Sequence, residues 1–405
     1  MNPQRVRKGS EPAVAPKSIQ DWLLKISYGE LGLLPVLAAL MAVLIVFNFA
    51  SPYFLTPRNL SNLTLQVGVL GVMALGMSLV LFIGEIDLSA GSVSGVCAII
   101  LVLLSSRFGI PGILAVSLAI LCGAAIGGIH GKLVTAIGAP SFIVTLTGLL
   151  VWQGAQRMLV GNQIGQILIN DPLVISIAST FMPFWLSLLI VASTVGYALV
   201  FCIRRWKLKQ HAGTAGKLGL LGRSMLFPIL AIVIFLVLSN HLGVPVLLLI
   251  LAILALVLTL VTEHTPFGVH IFAVGGNAEA ARRAGINVAR LKLILFSSCS
   301  ALAAFSGIVA VSRQYAADGN TGGGNLVLDA IAAAVIGGTS LFGGRGRIQG
   351  SLLGALVIGT VANGLDLLGQ SANVKSIITG LILLGAVSVD MVARQRRIRS
   401  GAAGA

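Results

Sequence analysis

An all-α, polytopic membrane fold of about twelve spanning helices follows from three observations. The chain of 405 residues is 57% hydrophobic and only 10% charged, with a mean hydropathy of +1.00, whereas soluble domains carry about 25% charged residues. Its apolar residues come in runs near the length of about 20 that a helix needs to cross a bilayer. Its basic residues fall between those runs, and mostly on one side of them. Together these exclude an ordinary soluble domain.

Read in order, the spans are expected near 31–50, 63–84, 89–106, 110–131, 140–160, 181–202, 225–242, 244–262, 291–312, 326–341, 349–368 and 374–392. The tenth is short and glycine-rich, which suits a broken helix and leaves the count at ten to twelve. Residues 1–30 are polar and lack the pattern of a signal peptide. Within them Ile19, Trp22, Leu23 and Ile26 repeat at helical spacing, as in a helix lying on a membrane surface. Three regions result: an N-terminal segment 1–30, a membrane domain 31–392 and a basic tail 393–405. No loop exceeds about thirty residues, too few for a core of its own.

Twelve spans with both termini in the cytoplasm put 22 of the 27 Lys and Arg residues inside and five (Arg58, Arg107, Arg157, Arg313 and Lys375) outside. The loop 263–290, the basic stretch 203–223 and the turn 342–348 then face inward. Segments 51–62, 161–180 and 313–325 face outward. The net charge of +15 is dispersed, so the continuous basic face that nucleic acid requires is absent. The cysteines Cys97, Cys122, Cys202 and Cys299 are far apart, and the five histidines are scattered, with His264 and His270 in the inner loop. Neither a disulfide nor a metal site is expected.

Glycine is abundant, at 49 residues, and often spaced by four, as at Gly123/Gly127/Gly131 and Gly350/Gly354. Such spacing lets helix backbones pack closely, and glycine clusters that break a helix free backbone dipoles to line a polar path. Between the second and third spans, Glu85, Asp87 and Ser89 stand in a junction with almost no loop. Bare carboxylates near the bilayer edge are costly, so each should be paired or hydrated. Asp87 or Ser89 could cap the third helix; alternatively Glu85 and Asp87 serve a translocated proton or sugar hydroxyl. Gln153, Gln156, Asn363 and Asp366 are further polar candidates, the last two on one helical face. Ile83, Gly84, Leu88 and Gly91 are echoed in spacing by Ile336, Gly337, Leu341 and Gly344, either a trace of duplication or the coincidence of a Gly/Leu-rich chain.

The segment 277–285 is a short charged helix in an otherwise apolar chain. Asn277 can cap it, Glu279 lies in its first turn, Arg282 and Arg283 in its last, and Gly285 supplies a left-handed stop. No phosphate loop, nucleophile elbow or zinc-protease motif is present, so the chain reads as non-catalytic, with any ATP bound elsewhere.

These residues resemble a known family. Glu279-Ala280-Ala281 followed by Gly285 is similar to the coupling motif of membrane subunits in binding-protein-dependent ABC importers. Ile86-Asp87-Leu88-Ser89 with Gly91-Ser92 resembles a segment of the simple-sugar branch, the ribose, xylose and arabinose permeases. The run 335–348, continuing into Gly350, Gly354, Asn363, Gly364 and Leu365, resembles a further block of that branch. The excess length near 180–245 is most like a xylose-type permease.

The resemblance covers roughly 30–392. It implies an inner-membrane permease that pairs with a second permease copy, couples to a cytoplasmic ATP-binding subunit and receives a monosaccharide, such as a pentose, from an external binding protein. ATP and Mg would sit on the partner, and no cofactor on this chain. The coupling role would fall on Asn277, Glu279, Ala280, Ala281, Arg282 and Gly285, and the translocation path would draw on Glu85, Asp87, Ser89, Asn363 and Asp366. A proton-coupled sugar transporter, a passive channel and a branched-chain amino-acid permease are the alternatives.

Overall fold

The computed structural model describes residues 34–161, 166–208, 229 and 231–399. The expected surface helix at 18–30, most of the basic stretch 203–223 and the end of the tail lie outside the described residues. The described chain is almost wholly helical. Helices α1 (Leu34–Ala50), α2 (Pro57–Phe82), α3 (Ala90–Ser106), α4 (Gly112–Ile137) and α5 (Ser141–Val160) come first. Strand β1 (Ile167–Leu168), the short α6 (Pro172–Ser179), α7 (Phe184–Leu208) and a helical stretch at 231–239 follow. After these come α8 (Val246–His264), α9 (Pro266–Gly276), α10 (Ala278–Arg283), α11 (Val288–Gln314) and strand β2 (Ala316–Ala317). The last three are α12 (Leu326–Ile336), α13 (Ile348–Leu367) and α14 (Ala372–Arg399).

Among the described residues, six helices are long and apolar enough to span a membrane (α2, α4, α8, α11, α13 and α14), and α1, α3, α7, α9 and α12 contribute shorter apolar stretches. The molecule is therefore a multi-pass helical membrane protein. Its local boundaries follow the expected physics. Thr56 caps α2 ahead of Pro57, Asp171 caps α6 ahead of Pro172, and Thr265 caps α9 ahead of Pro266.

Helix α11 is the central post, packed against α4, α2 and α3. Its contact with α4 is made by the glycine stripe read from the sequence. A Cβ on Gly123 would lie 2.6 Å from the Ser300 carbonyl oxygen, and one on Gly131 2.8 Å from the Leu293 Cα; Gly127 abuts the Phe296 carbonyl. Gly350 and Gly354 play the same part between α13 and α12, against the backbone of Gly337 and Ala333. Close backbone approach replaces the hydrophobic drive that lipid cannot supply.

Four expectations need correction. The inner loop 263–290 is mostly helix: α8 runs to His264, and His270 sits within α9, because Pro266 restarts a helix that its cap Thr265 stabilises. The segment 161–180 contains α6. The tail 393–405 begins as a continuation of α14, which runs to Arg399.

The third span is the fourth correction. Helix α3 has 17 residues, about 25 Å at 1.5 Å per residue, and it starts inside the bundle. Ser89, just before it, lies between His130 of α4 and Gly148 of α5. Asp87 reaches Ser300, about 18 Å along α11 from its start. Residues 83–89 thus climb as a non-helical segment from one end of the bundle toward its middle.

Helix α12, of 11 residues, begins beside the start of α3, with Val327 packed on Gly91, and lies mainly against α13 and α2. The turn before α12 dips between α3 and α5, where Gln156 donates to the carbonyl of Thr321 (2.8 Å).

Among the described residues, the predicted inward-facing segments 263–290 and 342–348 gather at one end of the bundle, where Gly84, Gly275, Gly343 and Gly344 meet. The predicted outward-facing ones gather at the other, where β1 pairs antiparallel with β2 and Arg313 donates to Asn62 (3.2 Å). Overpacking a close helix contact costs about 1–3 kcal/mol. Gly127→Leu is therefore expected to lower the thermal unfolding temperature of the purified protein in detergent by several degrees. Gly154→Ala, which meets nothing within 4 Å, should leave it unmoved.

Candidate functional site

Two groups of polar residues stand out, one exposed at the end of the bundle and one inside it. The exposed group is α10. The Asn277 side chain accepts a hydrogen bond from the Ala280 N–H (2.9 Å), so the cap is formed as read from the sequence. Glu279 pairs with Arg282 (3.0 Å) and Arg283 (3.2 Å) on the exposed surface. Gly285 has φ +89, a conformation that L side chains rarely adopt, and it turns the chain toward α11.

Not all of the alanine face is free. Ala281 is 5% exposed and packs inward with Ile271, Val274 and Leu291. The surface open to a partner consists of Asn277, Glu279, Ala280, Arg282, Arg283, Ala284 and Gly285.

Behind α10 lies a meeting of three turns made of bare backbone. Gly344 donates its N–H to the Phe82 carbonyl (2.9 Å). Gly275, at the end of α9, abuts the same carbonyl, and a Cβ on Gly84 would sit 2.9 Å from the Phe342 carbonyl oxygen. Gly84, Gly343 and Gly344 all have positive φ. Side chains at these positions would hold the turns apart. Of the echoed segments 83–91 and 336–344, Gly84 and the turn 342–344 meet at this contact, whereas Gly91 faces Gly322 and Gly337 faces Gly350.

The interior group is a directional chain of hydrogen bonds. The Trp152 Nε1–H donates to His130 Nε2 (3.1 Å). An indole nitrogen can only donate, so Nε2 carries no proton and the imidazole is neutral, with its proton on Nδ1. That nitrogen lies 3.1 Å from Ser89 Oγ and donates to it, since the Ser89 hydroxyl spends its own proton on Asp87 Oδ1 (2.5 Å). Asp87 also accepts from the Ser89 N–H (3.0 Å) and, at 3.5 Å, from Ser300.

Asp87 is 0% exposed. Glu85 is partly buried and paired with Lys292, as the expectation of a paired carboxylate has it, whereas Asp87 lies fully inside the bundle and not at its edge. The residue missed from sequence is His130. Its only signal was a lone histidine in an apolar run, facing Ser89 and Trp152 on other helices.

The remaining candidates separate. Asn363 is buried, accepts from Asn59 Nδ2 (2.8 Å) and donates to Gln66 (3.3 Å), pinning α13 to α2. Asp366, three residues on, is exposed and paired with Lys375 of α14. The pair expected to share one face does not act together, because α13 ends there and its last turn leaves the bundle. At the end opposite α10, Arg157, Gln166, Asp318 and Asn320 line a cleft of ≈ 380 Å³.

The glycine-packed bundle is that of a multi-pass membrane protein, and comparison with known proteins makes it a permease. The chain belongs to the family described as branched-chain amino acid transport system / permease component, whose match spans residues 59–387. It is 34% identical to the xylose transport system permease protein XylH of Escherichia coli (strain K12) over 342 residues, covering 82% of this chain and 85% of that one. It is 33% identical to the ribose import permease protein RbsC of the same strain over 356 residues, 87% and 92% of the two chains. The ribose import permease protein RbsC of Bacillus subtilis (strain 168) is 32% identical over 335 residues. No solved structure matches the chain.

Removing one partner of a buried hydrogen bond costs about 1–3 kcal/mol. Trp152→Phe strips His130 Nε2 of its donor, and Asp87→Leu leaves the N–H and O–H of Ser89 without their acceptor. Both should lower the unfolding temperature measured by scanning fluorimetry, Asp87→Leu the more, while Asp87→Asn, which keeps an acceptor for Ser89, should lower it less than Asp87→Leu.

Proposed function

We propose that this chain is the permease subunit of an ATP-binding-cassette importer for a monosaccharide, a pentose such as xylose, with α10 as the coupling helix. The observation that carries the reading is α10 itself. It is a capped, charged, exposed helix of six residues in a chain made otherwise for lipid, beside the glycine contact where the segment leading to α3 begins and the turn that follows α12 ends. A soluble subunit gripping Asn277, Glu279, Ala280, Arg282 and Gly285 would push on a rigid knob rather than on a loop.

On this reading the end carrying α10 faces the cytoplasm, as the charge asymmetry of the loops favours, with both termini on that side, about twelve spans in all and the bacterial inner membrane as the site. The ATP-binding subunit supplies ATP and Mg. A second permease copy completes the path, and lipid or that copy covers the apolar outer faces of α8 and α14. An external binding protein delivers the sugar to the end bearing the cleft at Arg157 and Asp318. The names of the relatives, xylose and ribose permeases, favour a sugar over an amino acid, and the neutral hydroxyl and amide groups of the interior suit an uncharged polyol. Closure of the ATP-binding subunits would draw two coupling helices together and switch the access of the path.

The buried Asp87 favours a second reading, a proton-linked transporter. It predicts uptake by the isolated chain that collapses when the proton gradient is dissipated. The first reading predicts uptake of D-xylose or D-ribose only with the ATP-binding and solute-binding partners present.

Exposed ion pairs such as those of Glu279 contribute little to stability, so Glu279→Lys should fold and insert normally. It is expected to lose co-purification of the ATP-binding subunit and to lower uptake in reconstituted vesicles at least tenfold. Normal co-purification and uptake by this variant would refute the coupling role of α10.

A further inference from the structure

Resting on that reading, we infer that the Glu85–Lys292 ion pair is the link through which movement of α10 reaches the interior helix α3, and that both are positioning residues for transport rather than residues of the path.

Helix α10 is held at both ends by short, defined connections. At its start, Asn277 is at once the C-terminal cap of α9, donating its N–H to the Ala273 carbonyl, and the N-terminal cap of α10. At its end only Ala284, Gly285, Ile286 and Asn287 intervene before α11. Ile286 donates back to the Ala281 carbonyl (3.0 Å), and the Asn287 side chain caps α11 at Arg290 (2.9 Å). With no slack on either side, α9, α10 and the first turns of α11 form one elbow.

That elbow meets the end of α2 and the segment before α3 in two ways. One is packing: Gly275 approaches the Phe82 carbonyl, and the Phe272 ring lies against the Phe82 ring, with centroids 5.2 Å apart. The other is Lys292, in the second turn of α11, paired with Glu85. The packing holds the end of α2 and carries no charge to fix the direction of a pull. The second is an ion pair whose side chains are 21% and 17% exposed, shielded enough from water that neither charge has a ready substitute partner. It can pull.

From Glu85 the chain runs non-helical to Ser89, and its backbone groups are satisfied sideways. Ile86 N–H donates to Ser141 Oγ (3.2 Å) and Leu88 N–H to Thr145 Oγ1 (3.1 Å), both on α5. Hydroxyl acceptors one helical turn apart can be exchanged more easily than a helix can be unwound. A pull on Glu85 therefore passes along 85–89 to the start of α3, where Gly91 packs on Val327 of α12. The two interior helix ends would part or close with each stroke of α10.

The test uses the assembled complex in vesicles, with its ATP-binding and solute-binding subunits, and labelled D-xylose and D-ribose as probes. Three quantities are read: co-purified ATP-binding subunit, ATP hydrolysis and sugar accumulated per ATP. Glu85→Gln and Lys292→Gln are expected to retain the subunit and to hydrolyse within about twofold of the unaltered complex, yet to accumulate at least tenfold less sugar per ATP. The exchange Glu85→Lys with Lys292→Glu is expected to recover accumulation to within about threefold, a rescue that a merely structural loss would not show.

Single variants that accumulate normally, or an exchange that fails to recover, would overturn the link. Loss of the ATP-binding subunit from the single variants would overturn it also, since docking would then be what the pair supports. An unaltered complex that accumulates neither pentose would remove the sugar-importer reading and this inference with it.

Discussion

Inside a lipid-embedded bundle, a peptide group that leaves the helix must find its hydrogen bond in the protein, because the bilayer offers none. The segment 83–89 is where this protein meets that constraint. Seven residues run non-helical from the end of the bundle into its interior; the N–H groups of Ile83, Gly84 and Glu85 fold back on carbonyls of α2, and those of Ile86, Leu88 and Ser89 are taken by Ser141 and Thr145 of α5 and by the carboxylate of Asp87. The rest of the architecture depends on this solution. It lets α3 begin mid-bundle, leaves room for α12 to meet it, and brings the turns at Gly84 and Gly344 to the base of α10.

The carboxylate at the centre is held without a countercharge. Asp87 receives the N–H and O–H of Ser89 and the Ser300 hydroxyl, while His130, held neutral by Trp152, orients the Ser89 hydroxyl. Such a network is stable only while every member is satisfied, which makes it a lock on the position of α3. Glu85, two residues earlier, has the opposite character: a charge at the end of the bundle, paired with a lysine on the elbow of α10 and α11. One junction thus holds a lock and a handle, separated by a single residue, and its composition of Glu, Asp and Ser reflects that division.

Glycine does the corresponding work between helices. Along α4 it allows α11 to pack backbone to backbone, and at Gly84, Gly275 and Gly344 it lets three turns touch without side chains between them. On the proposed reading, a rigid base beneath α10 suits a chain driven by a separate ATP-binding subunit. A soft base would absorb the movement before it reached α3.

Periodicity and caps are local properties, and they were legible in the sequence. The runs of about twenty apolar residues set the long helices, the stripe at Gly123, Gly127 and Gly131 marked a close helix contact, and Asn277, Glu279 and Gly285 announced a capped helix with a left-handed exit. The depth at which a helix starts was not legible. An apolar run reads alike whether it begins at the surface or in the interior, so 89–106 looked like a full span and Asp87 like an edge residue. Nor could sequence bring His130 to Ser89, Lys292 to Glu85 or Gly275 to Phe82, since each pair joins elements separated by tens to hundreds of residues. Those meetings were decided by tertiary packing alone, because hydrogen bonds and backbone contacts form between surfaces, and surfaces exist only once the helices have been placed.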